Sequence, residues 1–92
     1  MQRIIVEKRK DELTLETWEF YFLDGILYLD KYLLCKRESK SKRKYETLKK
    51  YDRLRERDST IEESQVPLTD EIKNEAFNQF VSKIKILRWS ER

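Results

Sequence analysis

The first half of the chain shows a strand-like alternation of apolar and polar residues, interrupted at Asp24 and Gly25. Residues 16–37 place apolar side chains at about every second position on both sides of this dipeptide. Asp-Gly between two apolar runs predicts a β-hairpin, because a type I′ turn needs a positive φ at both central residues. We therefore expect strands over residues 15–23 and 26–37, joined by a two-residue turn.

A strand is also expected before this hairpin, over residues 3–9. The segment begins with β-branched side chains and ends with charged ones. This composition is typical of an edge strand, because charges discourage unwanted pairing with other chains.

The segment after the hairpin, residues 43–55, fits two structures. Its Lys, Glu and Leu content favours a helix, but its apolar residues recur at every third position, which on a helix spreads them over about half of the circumference. A strand that turns back near Lys40 and Ser41 instead pairs Leu48 with Leu33 and Leu54 with Leu27. We favour the strand.

A helix is predicted over residues 70–87. Thr69 can cap its first turn, where Asp70 and Glu71 suit the positive end of the helix dipole. The apolar positions follow the i, i+3/i+4, i+7 spacing of one helix face; they are Ile72, Ala76, Phe77, Phe80, Val81, Ile84 and Leu87.

These elements predict an α+β fold in two layers, in which one C-terminal helix packs on one face of an antiparallel β-meander of three to four strands. With 92 residues, the chain is expected to form a single small domain over residues 1–92.

The two-residue turn also predicts which side chains share a face of the sheet, since side chains alternate between faces. The face expected to hold the helix carries Trp18, Phe20, Phe22, Leu27, Leu29, Leu33 and Cys35. Lys31 falls on the same face, which suggests a rim or a β-bulge at that point. The opposite face is expected to carry Leu23, Ile26, Leu34 and all five tyrosines.

Composition supports a folded domain with a charged exterior. Charged residues make up 42% of the chain, but 12% of it is aromatic. The net charge is +3, and residues 36–57 alone carry +7, which leaves −4 for the rest. The single cysteine cannot form an internal disulfide, and no apolar segment is long enough for a signal peptide or a membrane span. We expect a cytoplasmic protein.

The sequence argues against common catalytic chemistry. It has no histidine, the usual general base and metal ligand, and its one glycine excludes a phosphate-binding loop or a dinucleotide fingerprint. Cys35 is expected to be a buried small hydrophobe. We expect no catalytic residue, no cofactor and no metal. An enzyme that binds its ligand between helix and sheet is a minor alternative.

The face opposite the helix is the candidate interaction surface, because tyrosine combines a large contact area with a hydroxyl group that tolerates water. The candidate residues are Tyr21, Tyr28, Tyr32, Tyr45, Tyr51, Lys49 and Arg53. We expect a protein partner or a homo-oligomer at this face. The alternative is nucleic-acid binding, with bases stacked on the tyrosines and phosphates contacting the basic residues 36–57, including Lys36.

Overall fold

The computed structural model describes residues 2–90 and the side chains of residues 3–83. It has a four-stranded antiparallel sheet in the order β1-β2-β3-β4 and one long helix after it. The elements are β1 (Gln2–Arg9), β2 (Thr14–Leu23), β3 (Ile26–Arg37), β4 (Tyr45–Asp52) and α1 (Asp70–Ser90). The predicted α+β meander with a C-terminal helix is therefore confirmed, including the strand assignment of the fourth segment.

The central hairpin turns at Asp24 and Gly25 as predicted. Both residues have a positive φ, 51° and 80°, which is the requirement of a type I′ turn. The first hairpin, which lacks glycine and proline, is held by Asp11 instead. Its carboxylate accepts the backbone N–H groups of Leu13 and Thr14, each at 2.8 Å.

The helix begins at the predicted cap and packs on the β1 side of the sheet. The hydroxyl oxygen of Thr69 accepts the backbone N–H of Ile72 at 3.3 Å. Ile72 and Ala76 are buried, and the Phe80 ring stacks on Phe22 with 3.8 Å between ring centroids. The side chains of Ile84 and Leu87, also predicted on this helix face, lie outside the described residues.

A β-bulge in β3 changes the predicted register of the central hairpin. Phe20 pairs with Leu29 as expected, but Glu19 pairs with Lys31, so Asp30 is the extra residue. Trp18 consequently pairs with Tyr32 and not with Lys31. The irregularity suggested by Lys31 is therefore a bulge one residue earlier.

This bulge reverses the predicted faces of the second half of β3. Because side chains alternate with a period of two, one extra residue moves every later side chain to the other face. Tyr32 and Leu34 are buried in the core beside Trp18. Leu33 and Cys35, predicted in the core, are half-buried on the opposite face.

The register of β4 also differs from the prediction. Tyr51 pairs with Tyr32, and Lys50 takes the place opposite Leu33 that was expected for Leu48. Leu48 lies at a second bulge, and Leu54 follows the end of the strand and is exposed. There are two causes. The connection from β3 to β4 shifts the pairing by one residue, so that Tyr45 lies opposite Arg37, and the bulge at Leu48 shifts it by one more.

The core is closed by the helix over one part of the sheet and by the segment before the helix over another. Val66 is buried in this core, and Ile61 packs against it. The Trp18 indole donates a hydrogen bond to the carbonyl of Pro67 at 2.9 Å. The connection was predicted to cover part of the tyrosine face, but it covers the helix side instead.

The core contains one buried polar pair, Tyr32 and Glu16. The Tyr32 hydroxyl donates to a Glu16 carboxylate oxygen at 2.7 Å, and both residues are buried. Burial, aided by the hydrogen bond and the charge of Glu16, raises the pKa of Tyr32 well above its usual range.

Leu29→Ala and Phe80→Ala should each lower the free energy of unfolding, by about 2–5 kcal/mol for Leu29 and at the lower end of that range for the less buried Phe80. Phe77 is the matched control, because it is 53% exposed, and Phe77→Ala should cost about 1 kcal/mol or less. Urea unfolding followed by tryptophan fluorescence measures all three. Equal losses for Phe77 and Phe80 would contradict the helix orientation.

Tyr32→Phe should reduce stability and change its pH dependence. At neutral pH it leaves the buried Glu16 without its donor, at a cost of about 1–3 kcal/mol. In the wild type, the unfolded chain ionises its tyrosines near pH 10 while folded Tyr32 keeps its proton, so stability falls as pH rises above about 10.

The difference between the urea midpoints measured at about pH 8 and at about pH 11 should therefore be smaller for Tyr32→Phe than for wild type. They should not become identical, because burial also raises the pKa of Tyr51. Tyr28→Phe, at an exposed ring, should keep the wild-type dependence. If the stability of Tyr32→Phe depended on pH as steeply as that of wild type, the raised pKa of Tyr32 would not be the cause of the dependence.

Candidate interaction face

One face of the sheet has neither the helix nor the segment before it packed against it. We call it the open face; its apolar and small residues are Ile5, Leu15, Thr17, Tyr21, Leu23, Ile26, Tyr28, Leu33 and Cys35. Ile5, Leu23 and Ile26 are exposed by 50%, 48% and 53%. Apolar side chains this exposed, together on one sheet face, are typical of a surface that another molecule covers.

The register arranges the open face in rows that run across all four strands. One row consists of Glu7, Thr17, Leu33 and Lys50. The next row consists of Ile5, Glu19, Lys31 and Asp52. The first row thus has an acid at the β1 edge and a base at the β4 edge, with small and apolar side chains between them.

Asp30, the bulged residue, is the centre of an ionic cluster at the open face. Its carboxylate is almost fully buried and lies 3.8 Å from Arg3 Nη2 and 3.7 Å from Arg53 Nε. Arg3 also forms an ion pair with Glu19. The Asp30 carbonyl accepts the backbone N–H of Arg53 at 2.9 Å. Two acids and two bases balance, so the cluster has no net charge.

Arg53 connects this cluster to a pair of stacked tyrosines. Its guanidinium lies 4.9 Å from the centroid of the Tyr21 ring, and the Tyr21 and Tyr28 rings stack with 5.0 Å between centroids. Tyr21 is buried by these neighbours, whereas Tyr28 is exposed. A cation over an aromatic face is attracted by the ring quadrupole, so the three side chains hold each other in a fixed arrangement.

The structure brings together only part of the predicted surface. Tyr21, Tyr28 and Arg53 form one group on the open face. Tyr45 is on that face too, but at its far end beside Arg37, whose guanidinium lies 5.8 Å from the Tyr45 ring centroid. The prediction of one tyrosine face is therefore wrong in its extent.

Three predicted residues lie on the other face of the sheet. Tyr32 and Tyr51 are in the core, and Lys49 pairs with Leu34 on the helix side. Lys36, expected beside the tyrosines, pairs with Thr14 and also faces away from them. The bulge at Asp30 accounts for Tyr32 and Lys36, and the second bulge at Leu48 accounts for Lys49 and Tyr51.

Arg3 and Asp30 are structural residues of this surface that were absent from the prediction. The two arginine partners of Asp30 lie at sequence distances that no local pattern reveals. The one available signal was an aspartate in the middle of a strand, where that residue type is uncommon and often marks a bulge.

The described residues offer no ready metal centre. Within them, no three His, Cys, Asp or Glu side chains are grouped so that they could hold a metal ion. Cys35 is half-buried on the open face, and its sulfur lies 3.9 Å from the hydroxyl oxygen of Thr47. The helix within this part of the chain is too polar to cross a membrane.

Asp30→Ala should lower the free energy of unfolding by about 1–3 kcal/mol, because it removes the common partner of two arginines and a buried acceptor. Asp58→Ala, at an exposed aspartate, is the matched control and should stay within about 0.5 kcal/mol of wild type. Thermal or urea unfolding measures both. Similar values for the two variants would show that the cluster does not stabilise the bulge.

Comparison with known proteins gives no relative from which a role could be transferred. No protein-family model matches the chain. No significant match was found among curated proteins or among solved structures.

Proposed function

We propose that this protein is a non-enzymatic module that self-associates, with the open face of one sheet packed against the open face of a second copy. The observation that carries the proposal is the order of charges along the rows of this face. That order is complementary to itself: Glu7 and Glu19, the latter already paired with Arg3, would each lie opposite a lysine of the second copy.

The two copies would be related by a two-fold axis that lies between their sheets. The axis runs parallel to the strands and is centred between β2 and β3. Such an axis places β1 of one copy over β4 of the other, and β2 over β3. Glu7 then lies opposite Lys50 of the second copy, and Glu19 lies opposite its Lys31. An isologous interface contains each of these contacts twice.

The uncharged residues of β2 and β3 also match under the same operation, whereas Ile5 of β1 lies opposite Asp52 of the second copy. Leu33 lies opposite Thr17 of the second copy, and Leu15 lies opposite its Cys35. These positions lie on the two central strands, where apolar contact excludes water. Glu19 and Lys31 lie on the same two strands in the next row, and Glu7 and Lys50 lie on the outer strands. Two sheets packed face to face keep their strands within about 30° of each other, which allows the rows to stay in register near the axis.

The size of the face predicts a weak dimer. Four strands about 4.8 Å apart, overlapping over roughly eight residues of about 3.4 Å each, cover roughly 500 Å² per copy. The total of about 1,000 Å² is at the lower limit of specific interfaces. We therefore expect a dissociation constant in the micromolar range, on the order of 1–100 µM.

Nucleic-acid binding, the alternative, depended on a different surface. It required Lys36 and Lys49 beside a platform of tyrosines. Both lysines lie on the helix side, and two of the five tyrosines are in the core. For that reason we propose no nucleic-acid function.

Sedimentation velocity over about 5–500 µM should show the mass rising from 11.4 kDa toward twice that value. Lys50→Glu should weaken association at least about tenfold, because it opposes Glu7 with a second acid at two symmetric contacts. Glu7→Lys should weaken it equally.

A mixture of the two variant proteins provides the sharpest test. In a mixed dimer every reversed contact is again acid against base, so equimolar Glu7→Lys and Lys50→Glu should associate about as well as wild type. Lys73→Glu, on an exposed helix position, is the matched control and should not change association. A wild-type protein that stays monomeric at the highest concentration, or a mixture that fails to recover, would refute the proposal.

A further inference from the structure

The outer edge of β4 is covered over one half of its length only. Near its C-terminal end, the Lys50 carbonyl accepts the backbone N–H of Thr60 at 2.7 Å, and the Lys50 N–H donates to the Thr60 hydroxyl oxygen at 2.8 Å. The Asp52 N–H donates to the Ser59 hydroxyl oxygen at 2.9 Å. The segment after β4 therefore folds back and satisfies the edge from Lys50 to Asp52.

The other half of this edge, residues 45–48, has no such cover among the described residues. The backbone hydrogen bonds to β4 from outside the sheet reach no further than Lys50. Leu48 lies here at the bulge and is 48% exposed. At the opposite edge of the sheet the helix packs along β1, and Lys83 donates to the carbonyl of Arg3 at 2.9 Å. Unpaired backbone groups on an edge strand are a template for another strand.

A basic depression lies next to this free half of the edge. It has a volume of about 760 Å³ and is lined by four basic residues (Lys36, Arg37, Lys42 and Lys44), two acidic ones (Glu38 and Glu46), and by Tyr45 and Leu48. Neither Lys36 nor Lys44 forms an ion pair with a carboxylate in the part of the chain described. Arg37 Nε is buried and has no hydrogen-bond partner within the described residues.

We propose that the free edge of β4 at residues 45–48 binds an extended acidic peptide segment of a partner protein by strand addition. The backbone of the peptide would pair with the edge, and its carboxylates would contact Lys36 and Lys44. Main-chain pairing of this kind supplies affinity, while alternate side chains supply specificity. The site is separate from the open face, so this proposal does not depend on self-association.

The charges near the edge disfavour other occupants. A second copy of β4 would bring Lys44 and Lys49 against the same residues, and like charges in paired strands repel. A nucleic acid needs several free cations for its phosphates, and two nearby lysines are already neutralised. Lys42 pairs with Glu38 at 2.6 Å, and Lys40 pairs with Glu12 at 2.8 Å.

The test uses fluorescence anisotropy with a labelled peptide of about ten alternating Val and Glu residues, which is the length of a typical strand. It should bind the full-length protein, and a peptide of alternating Val and Lys should not. A proline in the middle of the acidic peptide should weaken binding at least about tenfold, because it removes a ladder hydrogen bond. Binding should persist in Glu7→Lys, a variant with weakened self-association whose substitution lies on β1, which separates this proposal from self-association.

Lys44→Glu should weaken peptide binding roughly three- to tenfold, whereas the matched control Lys73→Glu should not. Three results would overturn the proposal. The first is no binding of the acidic peptide at about 1 mM, a concentration above any specific affinity expected for such a site. The second is equal binding of the proline peptide. The third is displacement of the peptide by a single-stranded oligonucleotide that itself loses affinity with Lys44→Glu.

Discussion

One extra residue in β3 determines which side chains form the core and which form the open face. Asp30 is that residue, and its buried carboxylate lies between Arg3 and Arg53. Without the bulge, strict alternation would place Tyr32 and Leu34 on the open face. With it, both side chains turn toward the helix side, where Tyr32 finds Glu16 as a hydrogen-bond partner. Breaking the cluster would therefore affect packing on both faces.

The fold was predictable because its elements are specified by local signals. Asp24 and Gly25 can adopt positive φ at low cost, Thr69 caps the helix, and the spacing of apolar residues differs between strand and helix. These signals act over a few residues each. They fixed the order of elements and most of their boundaries without any knowledge of distant contacts.

The composition of the faces was only half predictable, because it depends on contacts between distant residues. Phe20, Phe22 and Leu29 lie before the bulge, where counting from the turn gives the correct face. Every face assignment in β3 after Asp30 failed, because one extra residue reverses all later positions of that strand. Tyr45 and Arg53, beyond β3, lie on the predicted face. Lys31 on an apolar face was the one warning. The partner that makes the bulge stable, Arg3, is 27 positions away, and no periodicity reports such a pairing.

The two proposed surfaces would reinforce each other in one assembly. Packing through the open face leaves the strand edges at the sides of the dimer. The two-fold axis along the strands then places the free β4 edge of each copy on opposite sides. A dimer would thus present two edges to a partner that carries two acidic segments. Binding of the first segment raises the local concentration of the second, into the millimolar range for a short linker. The two weak sites of a dimer would then bind such a partner with a high combined affinity, and binding of the partner would in turn favour the dimer.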